Sequence, residues 1–137
     1  MDKHWRDWRG EIDTILDIGA YQGIAVGELR SQGFNAVGYE PDSNSASYSE
    51  FVTSEISDTE NFDMLWMSHV LEHVGSAIDM LELWKPYSRR AFVEIPPGNY
   101  QLPHILVFNM DSFLRLFELA DMRVTKIDGG IHAIVEW

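Results

Sequence analysis

The chain has no cysteine among its 137 residues, so disulfides and thiolate metal sites are excluded. It is also poor in cations, with ten Lys and Arg against 22 Asp and Glu and a formal charge of -12. Those cations are scattered, so a phosphate backbone would be repelled and nucleic acid is disfavoured as the main partner. No apolar run approaches the length of a membrane span, and the opening MDKHWRDWRG lacks the apolar stretch of a targeting signal. No membrane partner is expected, and a cytoplasmic protein is the plain expectation. What the chain does have is 45% apolar and 23% charged residues, the balance of a folded domain. At this length one core is expected, in a single domain over residues 1–137.

Along the chain, strand and helix signals alternate. The short β-branched run Thr14 to Ile18 leads into a glycine turn, after which Ile24, Val26 and Leu29 recur at roughly helical spacing. Phe34 to Glu40 reads as a second strand, stopped by Pro41 and the Ser/Asn-rich PDSNSASYSE, which leaves room for a short helix at most. A brief third strand is expected around Phe51 to Ile56 and a buried fourth over Phe62 to Ser68. Ala77, Ile78, Leu81 and Trp84 share one helical face, with Lys85 and Pro86 as stop signals. Ala91 to Ile95 is a fifth strand broken by Pro96 and Pro97. An amphipathic helix then ends near Ala120, capped by Asn109 or Asp111, with Phe113, Leu114 and Phe117 as its inner stripe. Met122 to Ile127 and IHAIVEW form two strands joined through Gly129 and Gly130. The order predicts an α/β fold: a Rossmann-like, seven-stranded, mostly parallel sheet with an antiparallel last strand and helices on both faces.

In such a sheet, ligands bind beyond the carboxyl ends of the strands. The stretch ILDIGAYQG falls there. Gly19 and Gly23 let the backbone turn sharply and approach a ligand closely, and the helix N-terminus that follows offers N–H groups to a carboxylate. Asp17 is suited to accept from an ammonium. Glu40, about 20 residues on and ending the second strand, is placed to take both hydroxyls of a ribose. Together they point to a nucleoside ligand; a structural turn beside a surface acid is the plainer alternative.

LDIGAYQG, VGYEPD, FDMLWMSHVLEHV and VEIPPGNY together resemble the class I S-adenosylmethionine (SAM)-dependent methyltransferases, over nearly the whole chain. The dinucleotide enzymes fit less well, because GxGxxG does not occur. The resemblance implies SAM as cofactor. Asp17, Gly19, Ala20, Tyr21 and Gly23 would surround its methionine part. Glu40, followed by Pro41, would bind the ribose, Glu55 would read the adenine amino group and Ile56 would lie against the adenine face. Ser68, His69 and Leu71 would line the pocket near the sulfonium. Tyr21 departs from the family, which usually has glycine there, and would narrow the pocket or stack over the ligand.

His69, Glu72 and His73 form a literal HxxEH, the inverted zinc-peptidase motif, whose ligands must share one helical face. The motif follows directly from a strand and precedes Gly75, which argues against such a helix and makes a metal-dependent hydrolase a minor alternative. A divalent metal held by His69, Glu72, His73 and His104 is a second reading; hydrogen bonding that fixes the loop is a third, and the favoured one. His69 and His73 are also the candidate general bases, because neutral imidazole accepts a proton near pH 7.

Trp5 and Trp8 are spaced to share a helical face, as a lid or as packing against the sheet. Tyr100, His104 and Phe108 lie in the loop that faces the acceptor in the family. Since the seven strands use almost all residues, the acceptor pocket is expected to be shallow, completed by a second subunit, or open to a large partner. The methyl acceptor, small or macromolecular, is not specified, and IHAIVEW is a candidate homodimer contact. A SAM-binding module without transferase activity is the alternative of a different class.

Overall fold

The computed structural model describes residues 10–42, 50–96, 106–128 and 132–137. Trp5, Trp8, Tyr100, His104, the Gly129 and Gly130 turn and most of the segment after Pro41 lie outside them. Seven strands, β1 (Thr14–Ile18), β2 (Asn35–Tyr39), β3 (Val52–Thr53), β4 (Met64–Ser68), β5 (Arg90–Glu94), β6 (Arg123–Asp128) and β7 (His132–Glu136), form one sheet in the order β3-β2-β1-β4-β5-β7-β6. The first five run parallel, while β7 is antiparallel to both β5 and β6. Among the described residues no helix is long and apolar enough to cross a membrane.

Helix α1 (Ile24–Ser31) covers one face of the sheet with Val26 and Leu29, against Ile15, Ala36, Met64 and Trp66. On the other face, α2 (Ala77–Trp84) and α3 (Met110–Leu119) pack against Leu16, Ile18, Leu65, Met67 and Val93. β1, β4 and β5 are buried on both faces, which is why they read as continuous apolar runs. The relative register of β1 and β4 is tied at the lower end by Asp63. Its carboxylate accepts the Asp13 and Thr14 backbone N–H groups and the Thr14 hydroxyl, and these bonds hold its pKa below the usual carboxylate range.

Several expectations need correction. Ile24 points to solvent, 77% exposed, rather than to the sheet. β3 is only two residues long and pairs with Gly38 and Tyr39 of β2. In α3 the inner stripe is Phe113, Leu116 and Phe117, the i, i+3, i+4 set; Leu114 lies one step round the helix and is only half-buried. Asn109 rather than Asp111 caps α3, with its side chain accepting from the Ser112 N–H at 2.8 Å. Ala133, Ile134 and Val135 of IHAIVEW are buried between β5 and β6, so these three side chains are taken up by the chain's own sheet. Phe108 is buried edge-on against Phe113, covering the sheet.

Candidate functional site

The carboxyl ends of β1, β2, β4 and β5 bring most of the expected residues together. After β1 the chain turns through three left-handed residues, Gly19 (φ 73), Tyr21 (φ 48) and Gly23 (φ 78). Gly19 and Ala20 both donate their N–H groups to the Tyr39 carbonyl, at 2.9 and 3.0 Å, so the turn is laced to the end of β2. Gly23 then opens α1 with no side-chain cap and no acid in the first turn, which leaves the first N–H groups of the helix available to an anion.

Glu40 closes the arrangement. One carboxylate oxygen accepts the Tyr21 N–H and the other the Asp42 N–H, each at 3.0 Å. The acid and the turn are therefore one hydrogen-bonded unit. Tyr21 takes the backbone conformation that glycine would take, at a strain cost of about 1 kcal/mol, and the residue is 57% exposed. Gly38, which sequence reasoning missed, is the reason the turn can lie so close: a Cβ there would be 2.5 Å from Ala20 Cβ and 3.0 Å from Val26 and Val52. A glycine inside a strand was the available signal.

Asp17 lies beneath the turn, 4% exposed, and no described residue donates a hydrogen bond to its carboxyl. Burial, with the nearby Glu40 charge adding to it, pushes its pKa up to about 7. A buried carboxyl without a donor fits a cationic group such as the ammonium of an amino acid, whose arrival would supply one.

Glu55 and Ile56 follow β3 and line a groove of about 440 Å³ with Tyr39, Leu83, Trp84 and Tyr87; neither Asp17 nor Glu40 borders it. Pro41 is exposed beside Glu40. Leu71 is fully buried in the core, so it supports the loop after β4 and does not line an open pocket. Ser68, His69 and Val70 stand next to the turn, Val70 so near that a Cβ on Gly19 would come within 3.1 Å of it.

The HxxEH residues do not share a helix. His69 has a left-handed φ of 57, and Leu71–His73 form one 3₁₀ turn, so the hydrolase reading is overturned. Glu72, 1% exposed, directs Oε1 to His69 Nδ1 at 3.2 Å, with His73 Nε2 at 3.8 Å. Its other oxygen, Oε2, is enclosed and has no hydrogen-bond partner among the described residues. No group of three His, Asp or Glu side chains among the described residues converges as metal ligands, and His104 falls outside them. The described members of the set, His69, Glu72 and His73, therefore give no support to the expected metal. Sequence reasoning also missed Glu94, which accepts the Ser68 hydroxyl at 2.5 Å and pairs with His132 Nε2 at 3.2 Å.

Comparison with known proteins places this architecture. A family model described as methyltransferase domain matches residues 6–85, more than half of the chain. No curated protein is similar enough in sequence to count as a relative. Among solved structures, a SAM-dependent methyltransferase from Archaeoglobus fulgidus matches with TM-score 0.72 and 13% identity, over 98% of this chain and 91% of that one. The 1,6-didemethyltoxoflavin-N1-methyltransferase of Burkholderia thailandensis, with bound S-adenosylhomocysteine (SAH), matches with TM-score 0.71 and 16% identity, over 96% and 72%. Magnesium protoporphyrin IX methyltransferase from Synechocystis PCC 6803, with bound SAH, matches with TM-score 0.73 and 12% identity, over 97% and 78%. The chain belongs to the methyltransferase domain family and has the fold of the class I SAM-dependent methyltransferases.

Proposed function

We propose that this protein transfers the methyl group of SAM to a nucleophilic acceptor, with the cofactor held by the unit that Glu40 forms with the glycine turn. The observation that carries the reading is the pair of 3.0 Å bonds from the Tyr21 and Asp42 N–H groups to Glu40, which fix the acid at the mouth of the turn before any ligand arrives. A carboxylate oxygen can accept more than one hydrogen bond, so both oxygens still have lone pairs for ribose hydroxyls. Asp17 and the open N-terminus of α1 would take the ammonium and carboxylate of the methionine part, with Gly19, Ala20 and Gly23 giving the backbone approach. Glu55 and Ile56 would meet the adenine from the end of β3, and Ser68 and His69 would stand near the reacting centre. His69 is the better general base of the two histidines first considered.

SAM supplies the reactive methyl group; the chain supplies alignment of donor and acceptor and a place for the acceptor's proton. The left-handed backbone of Tyr21 supports cofactor binding, since the turn keeps the path that glycine would give it. Calorimetric titration with SAM and with SAH tests the proposal. Wild type should bind both and Glu40→Ala should lose at least about tenfold in affinity, the worth of one charge-assisted hydrogen bond or more. Equal affinity in the two proteins would remove Glu40 from the site.

A further inference from the structure

We infer that Glu72 and Glu94 are positioning residues that hold His69 as the base of the transfer reaction, so that the acceptor is an O–H or N–H nucleophile. The inference rests on the transferase reading above and adds the chemical class of the acceptor to it.

His69 is fixed at both backbone and ring. It leaves β4 in a left-handed conformation, uncommon for a residue other than glycine, and its N–H donates to the Glu94 carbonyl at 3.0 Å. The ring is 54% exposed on its side chain, at the carboxyl ends of β4 and β5 and beside the glycine turn. With Glu72 ionised, its Oε1 at 3.2 Å accepts from Nδ1–H, which is the tautomer the inference requires of the neutral ring. Nε2 is then the acceptor. It stands 4.0 Å from Glu94 Oε2, too far for a hydrogen bond and close enough for charge attraction once the ring is protonated.

The charged and titratable groups around His69 among the described residues are Glu72 and His73 from the turn after β4, Glu94 from β5, and His132 of β7 through Glu94. An imidazolium here would have a carboxylate on each side. Glu72 meets the ring through Oε1, while its Oε2 is enclosed without a partner among the described residues.

In the reaction, the acceptor's lone pair forms a bond to the methyl carbon, and the carbon–sulfur bond breaks with its electron pair remaining on sulfur. The acceptor's proton passes to His69 Nε2 and leaves through the exposed face of the ring. An acceptor that is already anionic, such as a carboxylate, needs no base. It would also meet Glu72, Glu94 and a chain of formal charge -12. Hydroxyls and amines on neutral or cationic molecules fit both requirements.

The test is the tautomer of His69, read from long-range nitrogen–proton correlations of the ring in ¹⁵N-labelled wild type. The expected form carries the proton on Nδ1, the minority tautomer of histidine in water, and Glu72→Leu should shift it to Nε2. A wild type with the proton on Nε2, or a Glu72→Leu ring unchanged from wild type, overturns the inference. SAH release with a set of phenols, amines and carboxylates adds a kinetic arm: transfer to an O–H or N–H acceptor should fall about 100-fold in kcat in His69→Asn. Transfer to a carboxylate that His69→Asn leaves intact also overturns it. Calorimetric titration of the wild type with SAM separates the two readings. Binding with the wrong tautomer sinks this inference alone, whereas no binding sinks the transfer reading and this inference with it.

Discussion

Replacing Asp17 by asparagine should make the protein more stable above neutral pH and leave it little changed below the unfolded carboxyl value of 3.8. In the folded chain, burial first and the Glu40 charge second raise the Asp17 carboxyl from its ordinary 3.8 to about 7. The sign follows from which state holds the proton. Between those two values the native state keeps a proton that the unfolded chain has lost, so the stability contributed by this group is complete below the unfolded value and drains away as pH rises to the folded one. Each pH unit is worth about 1.4 kcal/mol, so the full window amounts to roughly 4 kcal/mol. Asparagine has nearly the same shape and does not ionise. The stability of Asp17→Asn relative to wild type should therefore grow by roughly 3 kcal/mol between about pH 5 and pH 8. Urea unfolding of both proteins across that range, in the absence of SAM, measures the difference directly. Parallel stability profiles would refute the reasoning, because they would mean that water reaches Asp17 and that its carboxyl titrates like an exposed one.

Three further outcomes follow from the same geometry. A cationic ligand favours the ionised form of Asp17, so SAM binding below about pH 7 should release a proton, and the calorimetric heat should vary with buffer ionisation enthalpy; heat independent of buffer would separate Asp17 from the ligand. Tyr21→Val puts a β-branched side chain at a φ of 48 and should cost about 1–2 kcal/mol in thermal or urea unfolding, whereas Tyr21→Gly should be near neutral, relief of strain offsetting lost chain entropy. Gly38→Ala places a methyl 2.5 Å from Ala20 Cβ and should destabilise by about 1–3 kcal/mol while weakening SAM binding, because the turn must lift from β2; an unchanged midpoint and affinity would show that the contact relaxes freely.

The parts of the fold that could be read in advance are those in which local spacing and tertiary role coincide. The glycines of ILDIGAYQG mark left-handed positions, and the acid ending β2 is hydrogen-bonded to that same turn, so chemistry and geometry agreed. The alternation of strands and helices gave the sheet and its antiparallel β7. Residues whose role depends on a distant partner were not legible. Glu94 and His132 are far apart in sequence and meet because antiparallel pairing of β5 and β7 sets them opposite one another. Gly38 offered only the general signal of a glycine inside a strand, and its role shows once the turn, α1 and β3 are packed around it. Leu71 holds a position that the family resemblance assigns to the pocket, but the 3₁₀ turn after β4 aims it into the core. The inner stripe of α3 was missed by a single position, since neighbouring apolar residues at 113, 114, 116 and 117 allow two choices of face and only packing decides between them.

The placement of β7 between β5 and β6 also constrains the order in which the sheet can assemble. β6 leaves the ribosome before β7, yet among the described strands its place in the sheet is beside β7 and nowhere else. It must therefore wait, tethered through α3, until the strand that joins it to β5 has been made. The two strands are expected to dock together as a preformed hairpin, so that the last-made edge of the sheet closes by one insertion of a unit and not by successive addition of strands.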